Sequence, residues 1–234
     1  MEYINESDGR ARYVPQRVPP AAEQKNDQKS LRAALDVIAG VHRASKAAQG
    51  PAPRNQREKT ALDAQFRIGE EKVLHHWAVS VGKLLPEQDF ADAWLAQGCE
   101  GGAEHQVYVQ SGVYIKRNNL TYYSTWLSYF HNLLLHNWLF PETAYTFLGL
   151  MDANDSLMSV VSQKALRSYR DQGATPGEVT TYLAPFGFIP YKNHDYVNQD
   201  FGIIIGDLHE RNVLVATEGD LLVFDPVIYL SPSF

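Results

Sequence analysis

Three short apolar runs near the end of this chain constrain its fold more than any other feature. Ile203-Ile204-Ile205 leads into Gly206 and Asp207. Leu208-His209-Glu210-Arg211 follows, and Asn212 opens a second run, Val213-Leu214-Val215. Thr217-Glu218-Gly219-Asp220 carries turn chemistry, and Leu221-Leu222-Val223-Phe224 returns to Asp225-Pro226. Runs this short, divided by turn residues, predict a buried strand, a loop and a closing hairpin. Asp207 then sits at a strand end. Asn212 and Asp225 meet at the open end of the hairpin.

The same change of period divides the chain. Residues 1 to about 26 are polar and carry Pro15, Pro19 and Pro20, so disorder or loose docking is expected there. Ser30 to Ile38 starts a helix with Leu31, Leu35 and Ile38 on one face, and Gln49 to Lys59 is a proline-bearing linker. A second helix is predicted from Thr60 to Leu85, with Gly69 a point of interruption and Pro86 its end, then a short one from Glu87 to Gln97. From Gly98 the pattern turns to glycines and strands: Gly101-Gly102, His105–Val109 and Val113–Lys116 around Ser111-Gly112. An aromatic helix from Thr121 to Trp138, a strand pair at 145–150 and 157–162, and a helix from Thr175 to Ala184 follow. The rest reads as mostly irregular up to Ile203. Clustered strand pairs predict an α+β fold.

Composition excludes several classes. The 234 residues are 44% hydrophobic, enough for a core, and the net charge of −6 gives the whole chain no nucleic-acid signature. Cys99 is the sole cysteine, so neither an internal disulfide nor a cysteine zinc site can form, and a reducing cytoplasm is the expected location. No run is long enough to span a membrane. The most apolar stretch, Trp126 to Phe140, is broken by Ser128, His131, Asn132, His136 and Asn137 and reads as a buried helix.

The residues at the hairpin suit phosphoryl transfer. One carboxylate can orient an attacking hydroxyl, while an amide oxygen and a second carboxylate hold Mg2+, a cation that takes few carboxylates and keeps waters. Lys116, at the end of an apolar strand after a glycine loop, has a stem to bury and a charge to satisfy. His131 and His136, five apart among apolar residues, predict core hydrogen bonding rather than zinc.

Gly206 to Val215, with Asp225 after it, resembles the catalytic loop of the protein-kinase-like superfamily. Gly101–Glu104, Leu135–Tyr145 and Gly206–Asn212 together resemble the Ser/Thr/Tyr kinase domain of bacterial polyvalent proteins of phages and mobile elements. The resemblance covers about residues 60 to 230. It implies a minimal two-lobed fold with a truncated C-lobe: an N-terminal extension over 1–59, an N-lobe at about 60–162, a hinge at about 163–166 and a reduced C-lobe over 167–234. It also implies ATP and Mg2+ as cofactors and a protein hydroxyl as acceptor. Asp207 would be the base and Asn212 and Asp225 the metal ligands. Lys116 would steady the phosphates, and Gly101, Gly102, Glu104, Val107 and Gln163 would surround the nucleotide.

Four departures stand out. No Asp or Glu lies between Leu120 and Phe140, where such kinases carry the partner of the lysine. Glu104, Glu142, Glu70 and Glu71 are the candidates, and Glu104 is the one expected. Tyr114 replaces a small residue, and Phe224-Asp225-Pro226 replaces Asp-Phe-Gly. With nine residues after Asp225, no long activation loop is expected, which leaves the N-terminal helices or 187–201 to hold the substrate. Two rival readings stand beside a protein kinase. One is a pseudokinase that binds nucleotide or protein without turnover. The other is a small-molecule phosphotransferase, since the loop also resembles that of aminoglycoside kinases. Delivery into a host or recipient cell is a further expectation from the resemblance. Neither nucleic acid nor membrane is expected as a partner.

Overall fold

The computed structural model describes residues 3–5, 11–13, 21–48, 56–90, 105–110, 112–153, 155–166, 168–170, 172–217 and 219–230. In chain order these are β1 (Tyr3–Asn5), β2 (Ala11–Tyr13), α1 (Ala21–Ala48), α2 (Gln56–Ser80), β3 (His105–Gln110), β4 (Val113–Asn118), α3 (Trp126–Leu139), β5 (Tyr145–Ala153), β6 (Ser156–Lys164), α4 (Pro176–Leu183), β7 (Ile189–Lys192), β8 (Asp195–Asn198), β9 (Ile203–Gly206), β10 (Val213–Val215), β11 (Leu221–Val223) and β12 (Val227–Leu230). The fold is α+β, with antiparallel pairing in every sheet. Among the described residues no helix is long and apolar enough to cross a membrane.

The chain forms two compact units. The first holds α1, α2, the start of α3 and the sheet β3-β4-β6-β5. Tyr108, Ile115, Met151, Met158 and Val160 pack on one face of the sheet with Leu85 and Phe90. Phe147 meets Phe130 of α3 edge-on, with ring centroids 5.4 Å apart. The Tyr129 hydroxyl donates to Ser159 Oγ at 3.1 Å.

Helix α3 starts where it does because its first amides have acceptors. Thr125 Oγ1 accepts from Ser128 N, and Ser128 Oγ accepts from Thr125 N, a reciprocal cap. The amides of Trp126 and Leu127 donate to the Glu70 carboxylate from α2, at 2.8 and 3.1 Å. Three of the four N-terminal amides that a helix leaves unpaired are thereby satisfied.

Several expectations are corrected here. α1 is longer than its apolar face suggested, and β1 and β2 form a short hairpin inside the stretch read as unstructured. α2 passes Gly69 unbroken and ends at Ser80, because Gly82 adopts the left-handed backbone (φ 66°) that terminates helices. Leu84 and Leu85 run beside β5 instead of continuing the helix. A Cβ on Gly149 would lie 2.3 Å from the Lys83 carbonyl, so that approach requires glycine. Residues 91–97, read as a short helix, lie outside the described residues.

The second unit holds the remainder of α3, α4, the sheet β12-β9-β8-β7 and the ribbon β10-β11. Residues 189–198, expected to be irregular, form the hairpin β7-β8. Leu183, Phe188, Ile205, Val213, Val223 and Ile228 are among its core residues. α4 begins in a full capping box: Thr175 Oγ1 accepts from Glu178 N, and Glu178 accepts from Thr175 N. Thr175→Ala is expected to destabilise the protein by about 1 kcal/mol, read from urea unfolding. The hydrogen bond from Arg170, and then those from Thr175, pull the Glu178 carboxyl from 4.5 down to about 2. Because the folded value is depressed, this contribution is present above about pH 4.5 and fades as pH falls toward 2. The penalty of Thr175→Ala should shrink over the same interval.

Candidate active site

The second unit brings Asp207, Asn212 and Asp225 together. Asp207 follows β9 directly. Asn212 precedes β10, and Asp225 lies just beyond β11. The ribbon pairs Val213 with Val223, which sets the residues before and after it side by side. Phe224 N donates to Asn212 O at 2.7 Å and locks that register.

Asn212 is the hub. Its Nδ2 donates to Asp207 O and Asp207 Oδ2, both at 3.0 Å, and to Asp225 O at 3.4 Å. All three partners are acceptors, which fixes the amide orientation: nitrogen inward, and Oδ1 as the oxygen available to a cation. The other Asp207 oxygen, Oδ1, lies 3.5 Å from His209 Nε2. Both aspartates adopt left-handed backbone, φ 65° at Asp207 and 45° at Asp225. Non-glycine residues in that region cluster at functional sites, where the surroundings hold them there.

The loop is anchored by residues the motif did not reveal. Leu208 N donates to His194 O at 3.1 Å, and Asp207 N donates to Asp195 Oδ1 at 3.3 Å. Gly173 passes so close that a Cβ there would lie 1.6 Å from the Glu210 carbonyl oxygen. Ala174 N then donates to Val213 O at 2.8 Å. A lone glycine in a polar stretch gave no sequence signal that separated this contact from an ordinary turn.

The first unit holds Lys116, which is 3% exposed. Its Nζ donates to Gln163 Oε1 at 2.7 Å and lies 5.4 Å from the Tyr145 ring centroid and 6.0 Å from that of Tyr114. Register explains the cluster, since Gln163 lies opposite both Tyr114 and Tyr145, and Lys116 lies opposite Val107 and Val161. Aromatic faces and an amide oxygen suit a buried ammonium. Gln163 and Lys164 are the last residues of β6, where the first unit ends.

Two of the carboxylates considered for Lys116 are engaged elsewhere. Glu70 is fully buried and accepts from His42 Nε2 at 2.6 Å as well as from α3. Glu71 accepts from Arg67 Nε and Trp126 Nε1. Glu142 is exposed on a short 3-10 turn in the second unit. Gly101, Gly102 and Glu104 lie outside the described residues. Among the described residues no group of three or more His, Cys, Asp or Glu forms a metal cluster. The donor set at Asn212 and Asp225 is therefore one amide and one carboxylate, a composition that fits Mg2+ completed by phosphate and water.

An aspartate, an asparagine and a second aspartate drawn together at a strand-end loop are an arrangement that phosphoryl transfer can use. The model of the serine/threonine/tyrosine kinase found in polyvalent proteins matches residues 68–232. The chain belongs to that family and is a kinase-like phosphotransferase. No curated protein matches it, and no solved structure does.

Proposed function

We propose that this protein transfers the γ-phosphoryl group of ATP to a hydroxyl on a protein, with Mg2+, in a minimal two-lobed kinase-like fold. The observation that carries the reading is the Asn212 amide, bonded through Nδ2 to Asp207 and to the Asp225 carbonyl. One contact set orients the base and frees Asn212 Oδ1 for the metal.

In this reading Asp207 accepts a hydrogen bond from the acceptor hydroxyl and aims its oxygen at the γ-phosphorus. A new oxygen–phosphorus bond forms as the bond to the bridging oxygen breaks, ADP leaves, and the hydroxyl proton passes to Asp207. Asn212 Oδ1 and the Asp225 carboxylate hold Mg2+, which when bound offsets charge on the phosphate oxygens. Lys116 steadies the nucleotide phosphates, and Gln163, Tyr114 and Tyr145 keep its amine in place. Gly101, Gly102, Glu104 and Val107 complete the nucleotide surroundings, as the family resemblance implies.

Calorimetric titration with ATP tests the nucleotide half of the proposal. Binding should require Mg2+ in the wild type and fall by about tenfold or more in Asp225→Asn. ATP affinity indifferent both to Mg2+ and to Asp225→Asn would contradict it.

A further inference from the structure

The Asp225 segment changes sheets. Val223 ends β11 in the two-stranded ribbon, and Val227 begins β12 in the four-stranded sheet. Both strands lie at the edge of their sheets, so among the described residues no neighbouring strand pairs their backbone on one side. Asp225 stands between them at φ 45°. This corner carries the carboxylate that the proposed reading assigns to the metal.

Side chains from α3 and the turn after it take the place of the missing strands. Asn132 Oδ1 accepts from Ile228 N at 2.6 Å. Thr143 Oγ1 lies 2.6 Å from Val223 O, closer than it lies to His136 Nε2 (3.2 Å) or Phe140 O (3.3 Å). A hydroxyl has one proton to give, and at this carbonyl it gives it. His136 Nε2, 2.9 Å from Thr143 O and 3.2 Å from Thr143 Oγ1, then acts as donor to Thr143. Asn132 and His136 are one helical turn apart and share a face of α3. All three residues are at least 96% buried. The backbone is thus held two residues before Asp225 and three residues after it, while Phe224 N and Asp225 O are held by Asn212.

We infer that Asn132, His136 and Thr143 are positioning residues for Asp225: they fix the sheet-to-sheet corner so that its carboxylate faces the metal in one orientation. The inference rests on the reading of Asp225 as a Mg2+ ligand. It adds a requirement that lies 82 and 93 residues upstream, at Thr143 and Asn132. None of the three touches metal or substrate; they act through the backbone.

The test is the Mg2+ concentration that half-saturates ATP binding, measured at fixed ATP on the full chain. Far-UV circular dichroism on the same samples restricts the comparison to folded protein. Thr143→Val removes the hydroxyl at nearly constant volume, and Thr143→Ser keeps it. The half-saturating Mg2+ concentration should rise about 10- to 100-fold in Thr143→Val and stay within about twofold of wild type in Thr143→Ser. Excess Mg2+ should restore binding in Thr143→Val. Asn132→Ala, which releases Ile228 N, should act in the same direction and provides the reading should Thr143→Val not fold. Folded Thr143→Val and Asn132→Ala with wild-type Mg2+ dependence would overturn the inference, as would equal loss in Thr143→Val and Thr143→Ser. A wild-type protein whose ATP binding ignores Mg2+ would instead overturn the reading of Asp225, an outcome distinct from either.

Discussion

Asp207→Asn is expected to lower phosphoryl transfer by about 10²- to 10⁴-fold, the range for loss of a positioned general base. Its fold and Mg2+-dependent ATP binding should persist. The Asp207 side chain is half exposed, so little packing is lost with its charge. Asparagine is the informative replacement because position 207 has a φ of 65°, which Asn tolerates and Ala does not. Asn212 keeps its contact to the residue 207 carbonyl, so the proposed metal ligands should stay in place. Single-turnover transfer at saturating ATP separates the two effects. A loss confined to ATP affinity, with the transfer rate unchanged, would remove Asp207 from the chemistry.

The largest effect on stability is expected at Glu70. Its carboxylate is fully buried and accepts from Trp126 N, Leu127 N and His42 Nε2. Glu70→Leu fills the space yet strands two helix-end amides, each at about 1–3 kcal/mol. A total near 3 kcal/mol is expected from urea unfolding. Glu70→Gln keeps one acceptor oxygen and should cost about half as much. A Glu70→Leu protein within about 0.5 kcal/mol of wild type would show that α3 needs no acceptor at its start. His42 lies on α1, before the family match that begins at residue 68, so α1 contributes to an element inside the matched domain.

The sequence carried the strand, loop and hairpin around Asp207, Asn212 and Asp225 plainly. Gly206 to Asn212 and Asp225 sit among short apolar runs whose length and turn residues allow one arrangement, and β9, β10 and β11 fall where those runs predict. Thr175-Pro176 marked the start of α4 for a similar local reason, a cap followed by proline at the first helical position. What could not be read was set by distant contacts. The course of the chain after α2 is set by Leu85 bonding to Leu150, and the hairpin β7-β8 is exposed along all of β7, so it shows no apolar alternation. The role of Glu70 is a contact across 56 residues, and the polar residues that interrupt α3 gave only a faint sign of their purpose. Asn132 and His136 looked like breaks in an apolar helix; their spacing of four was the available signal that both lie on one face of α3.

The most direct test of the account is transfer of label from γ-labelled ATP, with Mg2+, to the protein itself or to proteins of a cell lysate. Wild type, Asp207→Asn and Asp225→Asn would be run side by side, with an equal amount of each judged folded by circular dichroism. The account predicts acid-stable or alkali-stable label on protein with the wild type, lost in both variants and lost when Mg2+ is chelated. Label that persists in Asp225→Asn, or a wild type that binds ATP with Mg2+ and transfers nothing to protein, would contradict it.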